Sequence, residues 1–244
     1  MTIAPTTPRR YTSAEFEQAV LAQSPAVAVF DCDGTLWSGD AGCGFMTWSI
    51  DQGLVSRNAS DWIDAQYRLY LAGKVSEEQI CGEMVQIYAD LREDEIRHAA
   101  ATYFGQHIEP HIFPELRSLI EKLQARKTEI WAVSSTNNWV IEEGVRRFNI
   151  PASRVLAAEV RIHDGRITSE LIDTPTGPGK VEALRRVGIT TPDAVFGNSI
   201  HDEAMLDTGK RAYPVNPSPA LAEIAGRKGW AVFYPESILN DPKL

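Results

Sequence analysis

The sequence predicts an α/β protein with a mostly parallel, doubly wound sheet, and three observations carry that expectation. Apolar runs of strand length recur at 26–30, 129–133 and 193–196, separated by segments of helical periodicity. Each run stops at polar residues able to hold a ligand, as at the carboxyl edge of an open α/β sheet. Residues 41–111, between the first and second runs, show helical periodicities and no convincing strand. The 244 residues therefore divide into a core, 1–40 and 112–244, and a helical insert, 41–111.

The elements follow in order. Thr12, with Glu15 three residues on, is a capping-box pattern opening a helix over Ser13–Leu21. After the strand 26–30, the insert offers helices at 61–71 and 94–104. A second capping box, Ser76 with Gln79, precedes Ile80, Met84, Ile87 and Leu91 along one face. Pro114 suits the first position of a helix over 115–126. Strand 129–133 leads into Ser134, Ser135, Thr136, Asn137 and Asn138, a cluster opening a helix from about Asn138 to Phe148. Such a helix start attracts anions through its N–H groups and dipole. Residues 160–171 alternate around Asp164 and Gly165, a hairpin signal. Gly177, Pro178 and Gly179 place Lys180 at the start of a helix carrying Val181, Leu184 and Val187. Strand 193–196 runs into Gly197, Asn198 and Asp202, and 211–215 and 230–234 read as the last strands.

Asp31 and Asp33 are the most informative residues. Two carboxylates at one strand end repel unless a cation or a shared proton holds them, and hard oxygen donors favour magnesium over zinc. Lys180 supplies a compact positive charge for a phosphate, and Asn198 and Asp202 add an amide oxygen and a carboxylate to the same edge.

Asp31-Cys32-Asp33-Gly34-Thr35, Ser134, Lys180 and Gly197-Asn198 through Asp202 together resemble the four motifs of the haloacid dehalogenase-like hydrolases, in order and spacing over about residues 26–216. The nearer likeness is to the phosphoserine-phosphatase-like branch. The resemblance implies a Rossmann-like core with a helical (type 1) cap that closes over the sheet edge. It also implies a magnesium-dependent phosphomonoesterase working through an aspartyl-phosphate. Asp31 would be the nucleophile and Asp33 the acid and base. Ser134, Lys180, Gly34 and Thr35 would hold the phosphoryl group, and Asp31, Asp33, Asn198 and Asp202 the Mg2+. Asn198 departs from the family's aspartate, keeping an oxygen but losing a charge. Ser135 and Thr136 stand where phosphoserine phosphatases have glycines.

The substrate is expected to be a small phosphorylated metabolite bearing an amino group. Asp40 stands nine residues after Asp31, where phosphoserine phosphatases carry an acid for the substrate amine. Trp37, Phe45 and Trp48 would add cation–π contacts. The alternative is that these aromatics pack the cap against the core. Two further readings share the motifs: a phosphomutase, and a catalytically weakened binding or regulatory homologue.

Composition narrows the class. A net charge of −9, with no basic cluster interleaved with aromatics, argues against a nucleic-acid partner. Residues 1–11 are rich in Thr and Pro without an apolar core, so they read as a short disordered tail, neither a signal peptide nor a membrane span. Cys32, Cys43 and Cys81 lack paired spacing, which points to reduced thiols and a cytoplasmic protein. His107 and His111 have the spacing of a metal pair, but Pro110 disfavours the helix it requires. Nothing in the sequence argues an oligomeric state.

Overall fold

A computed structural model describes residues 7–239. The chain forms two compact units, each assembled from separated stretches: 1–39, 111–133 and 177–244 in the first, 40–110 and 134–176 in the second.

In the first unit, β1 (Arg10–Tyr11) is followed by α1 (Ser13–Leu21), where Thr12 and Glu15 make both halves of the expected capping box. The expected tail is corrected at these residues, because β1 pairs parallel with β8 (Val232–Phe233); residues 1–6 lie outside the described residues. The central strand is β2 (Val27–Phe30), paired parallel on one side with residues 129–132 of β3 (Glu129–Asn137) and on the other with β6 (Ala194–Gly197). β7 (Arg211–Pro214) extends this parallel ladder beyond β6. Helices α6 (Pro114–Ala125), α8 (Pro178–Arg186), α9 (Glu203–Thr208), α10 (Pro219–Lys228) and the short α11 (Glu236–Leu239) complete the unit. Its apolar interior includes two stacked ring pairs, Phe30 on Phe196 at 4.1 Å and Phe16 on Phe233 at 4.2 Å.

The second unit holds α2 (Ala41–Asp51), α3 (Arg57–Leu71), α4 (Glu77–Gln86), α5 (Glu93–Tyr103), α7 (Asn138–Val145) and a hairpin of β4 (Val155–His163) and β5 (Arg166–Asp173). Ser76 caps α4 by accepting from the Gln79 N–H, as the sequence suggested. Asp164 and Gly165 both adopt positive φ, the conformation a tight hairpin turn requires. A five-residue π turn, Phe104–Ile108, follows α5, and a 3-10 turn, Glu109–His111, breaks the helix that a His107–His111 pair would need. Among the described residues no helix is long and apolar enough to cross a membrane, and no disulfide links the three cysteines.

Candidate active site

The site is built on the loop that leaves β2. Asp31 continues the strand by one more bond, its N–H donating to the Phe196 carbonyl at 3.0 Å, and the chain then turns sharply. The turn closes through N–H bonds from Thr35 and Leu36 to the Cys32 carbonyl and from Gly34 to the Trp37 carbonyl. Gly34 takes φ +76, and a Cβ there would stand 1.8 Å from Asn198 Nδ2, so both the backbone and the close approach require glycine.

Asp31 is buried, and both its oxygens are engaged. Thr35 Oγ1 donates to Oδ2 at 2.8 Å and Lys180 Nζ to Oδ1 at 2.7 Å. Lys180 comes from the first turn of α8, which starts after Gly177 at φ 51, and it is itself buried. Its ammonium also donates to Asp202 Oδ1 at 2.6 Å and to the Val133 carbonyl at 3.4 Å. These are charge-assisted distances, so the lysine is the cation between two carboxylates. Burial by itself would lower the lysine, but the charges of Asp202 and Asp31 outweigh it and hold Lys180 above its ordinary range. Burial and then the neighbouring Asp202 charge push the Asp31 carboxyl up, against the pull of Lys180 and Thr35.

Asp202 is fully buried, and its Oδ2 accepts from the backbone N–H groups of Asn198 and Ser199, each at 2.9 Å. It was expected beside the cation. In the structure its Oδ1 takes the Lys180 ammonium and its Oδ2 the N–H groups of the loop after β6. Gly197 fits under Asp202, where a Cβ would fall 2.6 Å from the Asp202 Cβ.

Gly34 and Thr35 are corrected as phosphoryl contacts. Their N–H groups close the turn and the Thr35 hydroxyl serves Asp31, so neither is presented to a phosphoryl group. Trp37 is also corrected as a substrate contact: it is wholly buried, and its indole N–H donates to Asp33 Oδ1 at 2.7 Å. The sequence offered one signal for this pairing, a donor four residues after an acid across a glycine turn. The Cys32 thiol, inside the same turn, is pushed well up by burial and by the charges of Asp31 and Asp33, and is no nucleophile.

Ser134 follows Val133 directly and is buried, its Oγ accepting from the Thr136 N–H at 3.1 Å. Residues 134–137 continue β3, and the helix starts at Asn138 as expected; Asn137 caps α7, accepting from the Val140 N–H at 3.0 Å. Asp40 is exposed and caps α2, accepting from the Cys43 N–H at 2.8 Å. Phe45 is buried among Trp48, Tyr88 and Tyr103, within the second unit and away from solvent, which corrects its assignment to substrate. Trp48 is half-buried and lines a groove of about 520 Å³ with Asp94, Glu95 and His98.

Among the described residues no three His, Cys, Asp or Glu side chains converge as a metal cage. The donors suited to a cation are of mixed kind: the Asp31 and Asp202 carboxylates, the Asp33 carbonyl and the Asn198 amide. With Asp31 and Asp202 sharing one lysine, the buried centre carries excess negative charge, and its donors are all hard oxygens. That set fits a divalent cation such as magnesium.

A model of the haloacid dehalogenase-like hydrolases matches residues 28–207. The chain belongs to this family. It is 26% identical over 220 residues to a histidinol-phosphatase of Neisseria meningitidis serogroup C, covering 84% of this chain and 97% of that one. A solved protein of unknown function from Bordetella pertussis Tohama I superposes with a TM-score of 0.73 at 23% identity, over 85% of this chain and 97% of the other. A substrate-bound phosphoserine phosphatase does so at 0.58 and 15%, over 86% and 92%. These likenesses establish the hydrolase's α/β fold, with phosphoserine phosphatases among its structural relatives.

Proposed function

We propose that this hydrolase is a magnesium-dependent phosphomonoesterase that forms an aspartyl-phosphate on Asp31. The observation carrying the proposal is the buried carboxylate at the end of the central strand, with Lys180 against one oxygen and Asp33 two residues on. A phosphomonoester dianion repels an anionic nucleophile, and Lys180 offsets that repulsion at the attacking group. Asp31 attacks phosphorus while Asp33 gives a proton to the leaving oxygen; Asp33 then takes a proton from the water that cleaves the phosphoenzyme. Ser134, the residue after the Val133 carbonyl that Lys180 contacts, supplies a hydroxyl for a phosphoryl oxygen. Asp31, the Asp33 carbonyl, Asn198 and Asp202, some of them through water, would hold Mg2+, which when bound neutralises charge between carboxylate and phosphate.

The substrate is a small phosphorylated metabolite with an amino group. Asp40 offers an exposed carboxylate for that amine, and the histidinol-phosphatase relative is named for an amino-alcohol phosphate. The test is phosphate release from a panel of amino-bearing and neutral phosphate monoesters, with magnesium and with a chelator. Magnesium-dependent release favouring the amino-bearing members is expected. No release from any member would overturn the proposal.

A further inference from the structure

We infer that Trp37 is a positioning residue for Asp33 and fixes the orientation of that acid's carboxyl group. The inference rests on the phosphatase reading above and names a device that serves it. The Trp37 side chain has no exposed surface, and its Nε1 donates to Asp33 Oδ1 at 2.7 Å. An indole N–H is a donor with no acceptor capacity. Oδ1 therefore meets Trp37 as an acceptor, and turning the carboxyl away would break that bond.

The ring cannot easily leave this position. Gly34 donates to the Trp37 carbonyl at 2.9 Å, and Asp33 and Trp37 form a β-bridge across the turn. On the other side Trp37 bridges Ile112, flanked by bonds from Ser38 to the His111 carbonyl at 3.1 Å and from Phe113 to the Leu36 carbonyl at 3.0 Å. The turn carrying both catalytic acids is thus closed on itself and tied to the segment before α6, with the indole as the side-chain strut. Asp33 acts in both half-reactions. In the first, the Asp31 oxygen bonds to phosphorus, the phosphorus–ester bond breaks, and the Asp33 proton passes to the leaving oxygen. In the second, water bonds to phosphorus, its proton passes to Asp33, and the bond from phosphorus to the Asp31 oxygen breaks, releasing Asp31 as carboxylate with inorganic phosphate. A carboxyl free to rotate would present the proton in the wrong place for part of the time, and misplacement by about 1 Å costs roughly 100-fold.

The experiment compares phosphate monoesters of graded leaving group, from an alkyl phosphate through phenyl phosphate to 2,4-dinitrophenyl phosphate. Expulsion of a dinitrophenolate needs no proton, whereas expulsion of an alkoxide does. Trp37→Phe, and replacement of Trp37 by the sulfur isostere benzothienylalanine, should slow the alkyl phosphate about 100-fold and the dinitrophenyl ester less than about 5-fold. Combined with Asp33→Asn, neither change should cost anything further on the alkyl phosphate, because both act through one proton. The isostere keeps the ring volume, so the test stands if Trp37→Phe folds poorly. Equal losses across the series, or full additivity with Asp33→Asn, would overturn the inference while leaving the phosphatase reading intact. A wild-type protein that hydrolyses none of the esters would overturn both.

Discussion

Lys180 Nζ stands 2.7 Å from Asp31 Oδ1, although 149 positions separate the two residues in the chain. The contact joins the first turn of α8 to the end of β2, and both partners are buried. In water such a pair would be worth little. Here each group's burial is tolerable only because of the other.

Asp31→Asn should remove the nucleophile and keep the fold. The amide has nearly the same volume, and Lys180 retains Asp202 at 2.6 Å, so one buried ion pair remains. Turnover should fall by at least about 1,000-fold with unchanged circular dichroism. A folded variant with near-wild-type phosphate release would eliminate Asp31 as the nucleophile.

Lys180→Met should cost stability as well as activity. It leaves Asp31 and Asp202 buried without their cation, a situation that destabilises by about 3–5 kcal/mol. For a chain of this size that is a drop in Tm of roughly 6–20 °C. Phosphate release should fall alike for every substrate, because the lysine faces the nucleophile and not the organic group. A thermal scan overlaying that of the wild type would contradict the buried triad.

How much of this was legible beforehand differs residue by residue. Three of the four chemical segments could be read because each follows an apolar strand, Lys180 because Gly177, Pro178 and Gly179 open its helix, and α1 because Thr12 and Glu15 make a local box. The continuation of β3 through Asn137 could not, since Ser-Ser-Thr-Asn has the composition of a loop and only pairing with neighbours makes it a strand. β1 is two residues long and exists only because β8 lies beside it. Asp202 reads as a ligand in one dimension; its partners, Lys180 and two backbone N–H groups, are set by the turn after β6. Trp37 and Phe45 read equally as substrate contacts or as packing, and only the buried partners, an acceptor for the indole and three aromatic neighbours for the phenyl, favour the interior.

Asn198→Asp should lower the magnesium concentration giving half-maximal activity. The substitution adds a formal charge beside Gly34 without changing shape, and about tenfold tighter binding corresponds to roughly 1.4 kcal/mol. Magnesium titration of both proteins checks it. An unchanged or raised requirement would remove Asn198 from the cation's donors.

The capping role of Asp40 shapes the test of amine recognition. Asp40→Ala removes the acceptor for the Cys43 N–H and should destabilise by about 0.5–2 kcal/mol, whatever the substrate. Asp40→Ser keeps a cap oxygen and deletes the charge. Its stability should stay close to wild type, while kcat/KM falls for an amino-bearing phosphate and holds for a neutral one. Equal losses on both substrates would confine Asp40 to capping α2.

The division of the chain also sets a timetable for synthesis. The second unit ends at Thr176, four residues before Lys180, so all of it has been made before the lysine emerges. Asp31 is translated 149 residues ahead of Lys180, a delay of roughly 7 to 30 s at the usual 5–20 residues per second. Through that interval β2 lacks its β6 neighbour, and the Asp31 carboxylate lacks its lysine. A chain ended just short of Lys180 would therefore hold every residue of one unit, with the other still lacking the cation that lets its acids be enclosed.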